Sequence, residues 1–210
     1  MACQLDFSNE FATPSVEFID PPGNRPNFGL SAGFPIDPDS MPSKGRLEEP
    51  WPKPIPDVFG TPGLNAVSQR FRALVEQFEP GEHQFFPLRL QHYDGSPLEE
   101  NYYIFNCAVG VDAIIFCKST PDWFSDDLNP PVLHAGMGDA FELSCTAIGN
   151  HHIWCGKTVA RNKLFVSDAF YVSVASHRII GFRAKYREEL DLPWTEAEIA
   201  PLIEWNSRRH

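Results

Sequence analysis

Twelve of the chain's 20 prolines fall within its first 62 residues. The segments "PPGNRP", "PIDPDSMP" and "EEPWPKPIP" read as extended chain and turns, because proline removes a ladder donor and blocks helix. Regular structure there is expected to be short. Aromatic residues are scattered through the same stretch, among them Phe18, Phe28, Phe34, Trp51 and Phe59. A free tail has no use for them, so residues 1–62 are read as an arm that wraps a core formed by residues 63–210. The whole makes one globular unit.

The character changes at Gly63. In "NAVSQRFRALVEQFEPG" the apolar residues Val67, Phe71, Leu74, Val75 and Phe78 recur at helical spacing. Asn65 or Ser68 can cap the start, and Pro80-Gly81 stops the helix. Phe86, Leu88 and Leu90 then alternate with Pro87, Arg89 and Gln91. Asp94-Gly95-Ser96 is turn chemistry, and Tyr102–Val109 reads as a returning strand. The pair predicts a β-hairpin with an acidic connection. "VDAIIF" continues as strand, residues 118–131 read as a loop, and "FELSCTAIG" and "NHHIWCGK" as further strands. "LFVSDAFYVSVASHRIIGFRA" predicts strand, helix from about Ser167, turn and strand. Thr195-x-x-Glu198 is a capping box opening a C-terminal helix. Runs of strands with few flanking helices predict an α+β fold, with a mixed, mainly antiparallel sheet.

With 17 basic and 28 acidic residues the formal charge is −11. Between Asp94 and Glu142 nine acids face one base, Lys118, so that segment alone carries 1 − 9 = −8. Such a surface repels phosphate backbones; it either serves solubility alone or suits a basic protein partner, whose approach it accelerates. Neither nucleic-acid binding nor a membrane span is expected. The five cysteines include no C-x-x-C, and "MACQLDFSNEF" has no secretory pattern. Reduced thiols in a cytoplasm account for this most simply.

Motifs that could carry chemistry fail on context. Gly29-Leu30-Ser31-Ala32-Gly33 fits the G-x-S-x-G of a hydrolase elbow, which needs a strand before the serine and a helix after it. Proline-rich chain flanks it instead, and its glycines suit a turn. In His151-His152-x-x-Cys155, a strand would place His151 and Cys155 roughly 13 Å apart, beyond the reach of one metal ion. Ile153 and Cys155 would share one face and Trp154 the other. Asp126-Asp127 and Glu99-Glu100 are acid doublets in loops, and no phosphate-binding glycine loop occurs. No catalytic residue, metal or cofactor is assigned. The 118–131 loop sets Trp123 and Phe124 among Asp122, Asp126 and Asp127, which reads either as an interface anchor rimmed by charge or as a loop whose aromatics fold back onto the core. Glu99 and Glu100 extend the same acidic surface.

Four ordered pieces, "VSQRFRALVEQFEPGEHQFFPLRL", "DGSPLEENYYIFNCAVGVDAI", "GNHHIWCGK" and "KLFVSDAFYVSVASHRIIGFRA", resemble the immunity-protein family numbered eleven among bacterial polymorphic-toxin immunity domains. The resemblance runs from about Pro56 to Lys185. It is carried by Phe85-Phe86-Pro87, Tyr102 to Asn106, Val111-Asp112-Ala113 and Leu164-Phe165-Val166-Ser167. Trp154-Cys155-Gly156 departs from the family, which more often has an aromatic followed by Arg. The resemblance implies a non-enzymatic cytoplasmic protein that binds and neutralises a cognate toxin, with no catalytic residues to transfer. The alternatives are a hydrolase using Ser31 or a Cys–His pair, and a non-catalytic adaptor of a secretion-linked operon.

Overall fold

The computed structural model describes residues 1–7, 13–20, 33–52, 54–115, 123–125, 132–134, 140–156 and 163–193, with backbone alone for 123–125 and 132–134. The first half supplies strands β1 (Ala2–Asp6), β2 (Val16–Phe18), β3 (Lys44–Leu47), β4 (Val58–Thr61) and β5 (Leu64–Ser68). Helix α1 (Gln69–Phe78) and strands β6 (Gln84–Gln91), β7 (Tyr102–Asn106) and β8 (Ile114–Ile115) follow. The second half supplies β9 (Trp123–Ser125), β10 (Val132–His134), β11 (Glu142–Ser144), α2 (Cys145–Ile148), β12 (Ile153–Cys155), β13 (Leu164–Ser167), α3 (Asp168–Ser176), β14 (Arg183–Arg187) and β15 (Glu189–Leu190).

Among the described residues, each of the three α-helices begins at a serine that ends a strand. The side chains of Ser68, Ser144 and Ser167 accept from the amides of Phe71, Ala147 and Phe170. Each satisfies a donor that the first helical turn leaves free. Ser68 is therefore the cap of α1, and Asn65 and Val67 lie in the preceding strand. The same device corrects the reading of "FELSCTAIG" as strand throughout: Ser144 turns the chain into α2, which closes at Gly149 with φ +60°. The loop read at 118–131 is also corrected. It contains β9, paired with β10 so that Phe124 lies opposite Leu133 and Trp123 opposite His134. Residues 195–198, where a C-terminal helix was expected, lie outside the described residues.

The strands form a mixed, mainly antiparallel α+β architecture. A six-stranded sheet runs β2-β3-β6-β7-β5-β4, a four-stranded sheet β12-β13-β1-β14 and a three-stranded sheet β15-β11-β8. Among the described strand pairs β3–β6 and β11–β15 are parallel and the rest antiparallel. The expected hairpin is β6–β7, in register from Gln84↔Asn106 to Leu88↔Tyr102. Residues before 63 enter both large sheets. Strand β1 lies between β13 and β14, while β2 and β3 extend the larger sheet beyond β6.

The main core lies where the two large sheets face α1 and α3. Cys3, Leu5, Val67, Phe71, Phe105, Ile153, Cys155, Val166 and Phe170 meet there. The Phe71 ring is edge-on to Phe105 and Phe170, with centroids 5.8 and 6.2 Å away. On the opposite face of the six-stranded sheet, Phe86, Leu88, Leu90 and Ile104 are covered by Met41 and Ile55 of the proline-rich region. The far side of the four-stranded sheet buries Trp154 against Phe165, Phe141 and Leu143. Ile153 and Cys155 thus face one core and Trp154 another, as period-two alternation requires.

Candidate interaction surface

The connection between β6 and β7 is an acidic, solvent-facing tip built to hold one shape. Asp94 opens it as an Asx turn: its carboxylate accepts from the Ser96 amide at 2.9 Å and hydroxyl at 2.6 Å. These bonds hold the Asp94 carboxyl below its usual range. The His92 amide donates to Ser96 O at 2.8 Å, Gly95 N to His92 O at 2.9 Å, and Leu98 N to Leu90 O at 3.0 Å. Leu98 packs against the arm-side core and ties the tip down. Outside this frame Tyr93 is 57 % exposed. Glu99 and Glu100 are exposed beside it. Glu100 Oε2 accepts from the Tyr102 hydroxyl at 3.1 Å. Burial, and then Glu100, pushes that phenol's pKa up.

A second acid is turned inward. Glu79 ends α1, and its Oε1 accepts from the amides of His152 and Ile153 at 2.6 and 3.2 Å. Its Oε2 lies 2.6 Å from His83 Nε2. Burial pushes the Glu79 carboxyl up, but the bonds from His83, His152 and Ile153 outweigh it and hold it below the usual range. The arrangement fixes the end of α1 to the start of β12.

Sequence reasoning did not foresee the contact of His152 Nδ1 with Ser167 Oγ, at 2.8 Å. It borders a groove of about 460 Å³ lined by Met1, Ile148, His151, Asp168 and Glu189 among others. Ser167 Oγ also accepts from the Phe170 amide as the α3 cap. No carboxylate is hydrogen-bonded to the His152 ring among the described residues. The serine was legible as a cap; its histidine neighbour comes only from the β12–β13 pairing.

The residues expected from sequence divide unevenly. Glu99 and Glu100 stand together on the tip, and Trp123 and Phe124 lie in β9. Asp122, Asp126 and Asp127 lie outside the described residues, as does Ser31. Gly33 of the serine motif has φ +76°, and a Cβ there would sit 2.6 Å from Gly110 Cα. That glycine permits two backbone segments to cross closely, with Gly33 N donating to Cys107 O at 3.2 Å. Of the Cys–His candidates, Cys107 is fully buried and its thiol is pushed well above its usual value by burial, the opposite of an activated nucleophile. The four described cysteines form no disulfide. No cluster of three metal-ligating residue types occurs among the described residues. No helix among them is long and apolar enough to cross a membrane.

None of the curated proteins compared matches the chain. The model of the Immunity protein family (Imm11) matches residues 8–187, which reaches well into the proline-rich region and covers every strand of the two large sheets except β1. That family implies a toxin-immunity role with a cognate toxin as partner. With the match extending over most of its 210 residues, the chain belongs to the immunity protein family Imm11.

Proposed function

We propose that this protein neutralises its cognate bacterial toxin in the cytoplasm by occupying the toxin's surface, with no bond made or broken at a site of its own. The contact is led by acid. Asp94, Glu99 and Glu100 on the hairpin tip, together with Asp122, Asp126 and Asp127, draw in a basic toxin domain. Tyr93, Trp123 and Phe124 supply the anchors that lose water on contact. The observation that carries this reading is the tip, where carboxylates and an exposed aromatic ring ride on a turn already fixed by five hydrogen bonds. A preformed loop loses little conformational freedom on binding. Clustered like charge raises the encounter rate in a salt-dependent way.

Co-expression with the cognate toxin tests the role, and growth should be restored. Failure to bind and protect against that toxin rejects the assignment. The surface is tested by changing Glu99, Glu100, Asp122, Asp126 and Asp127 to Lys. The association rate should fall about tenfold or more at low salt and converge with wild type at high salt. A rate unchanged at both removes these residues from the interface.

A further inference from the structure

The outer half of the six-stranded sheet carries a feature that the acidic reading does not use. Beyond the reach of α1, the solvent face of β6, β3 and β2 presents Pro87, Arg89, Lys44, Arg46 and Glu17, all exposed. The parallel β3–β6 register sets Lys44 directly opposite Arg89. Like charges so placed repel across a ladder, and a fold under no other demand avoids them. Glu17 is opposite Arg46 and pairs with it at 3.0 Å. The nearby Asp20 carboxylate is engaged by the Ser43 hydroxyl and the Ser43 and Lys44 amides. Among the described residues no ion pair reaches Lys44, Arg72 or Arg89.

Where this face meets α1, Arg72 lies 4.6 Å from the Tyr103 ring centroid and 5.5 Å from that of Phe85. Tyr103 is fixed in turn by its hydroxyl, which donates to Gln69 Oε1 at 2.7 Å. Stacking holds the guanidinium in place without neutralising it. In a chain of net charge −11, this face and the adjoining side of α1 therefore bring together Lys44, Arg46, Arg72 and Arg89, while the acids around them are engaged: Glu17 by Arg46, Asp20 by Ser43 and the Lys44 amide, and Glu48 by the Ser15 hydroxyl.

We infer that this face docks a carboxylate-rich segment of a protein partner, with Lys44 and Arg89 as the charge pair that receives it and Tyr103 and Pro87 as the adjoining apolar floor. A nucleic acid fits less well. A long phosphate backbone extends into the negative field of the rest of the molecule, whereas a short acidic segment meets only the local cations. The inference rests on the reading that this protein works by binding another protein. It does not depend on the acidic tip.

The test titrates the full chain at low ionic strength with a short synthetic peptide of alternating Glu and Tyr, followed by fluorescence. A single-stranded oligonucleotide of matched length runs in parallel. Lys44→Glu places an acid across from Arg89, so the fold is retained and the docking charge is cancelled internally. Lys44→Gln serves as a second variant, and thermal unfolding checks both. Peptide affinity should drop about tenfold in Lys44→Glu and in Arg89→Glu, and stay at the wild-type value when Glu99 and Glu100 are changed to Gln. The proposal is overturned by absent peptide binding to wild type, by equal binding to wild type and variants, or by tighter binding of the oligonucleotide through the same residues. The titration requires no toxin, so a failed growth rescue and a failed titration are separate results, and only the second counts against this face.

Discussion

Glu79 and the pair Glu99–Glu100 are the same chemical group put to opposite uses. Glu79 is buried and takes hydrogen bonds from two amides and a histidine whose side chain has no solvent contact. Glu99 and Glu100 point to solvent from a turn whose shape Asp94 maintains. The first carboxylate is fully committed to joining α1 to β12 and has nothing left to offer a partner. The second pair contributes little to the fold, which leaves its charge available. Net charge alone does not separate these roles; only the count of internal donors around each carboxylate does.

The comparison can be broken most decisively from the inside. Glu79→Ala should cost about 3 kcal/mol in urea unfolding, since it leaves His83 and two amides without their acceptor. A loss as small as that of a surface change would mean that the inward carboxylate is not a fastening. Next comes the anchor on the tip. Tyr93→Ala should weaken toxin binding by about 2 kcal/mol in calorimetry while leaving the unfolding midpoint in place. A shift in stability without a loss of affinity would reverse the assignment of that ring.

Acid sharpens the same contrast. The folded-state pKa of Glu79 lies below its unfolded value near 4.5. Its stabilisation is therefore fully present above the unfolded value and disappears as pH falls through the folded one. Wild type should lose stability from about pH 5 downward, and Glu79→Gln should lose less over the same window. Parallel curves for the two proteins would show that other carboxylates control the acid response. The smallest effect is expected outside: Glu99→Gln with Glu100→Gln should change stability by no more than about 0.5 kcal/mol. The same double change should slow toxin association at low salt.

Much of the local structure was legible because its causes are local. Ser68 and Ser167 cap helices through bonds made three residues on. Phe86, Leu88 and Leu90 alternate into one core because a strand points every second side chain the same way. Helix α2 was missed although Ser144 and Gly149 bracket it. The strand-like "FEL" preceding it extended the period-two pattern past its true end, and a four-residue helix offers too little periodicity to compete. The ribbon β9–β10 was missed for a different reason: strand pairing rescues a Pro- and Asp-rich stretch that propensity reads as loop.

By itself the sequence determined the fold class, the hairpin with its acidic turn, two of the helix starts and the concentration of negative charge, all of them consequences of neighbours a few residues apart. Tertiary structure alone decided which carboxylate is enclosed, because the amides that hold Glu79 belong to residues 152 and 153. It also decided that the first strand sits inside a sheet between β13 and β14, and that Lys44 confronts Arg89 across a parallel ladder. Contacts of that kind join residues far apart in the chain, and no local pattern encodes which distant strand will arrive alongside.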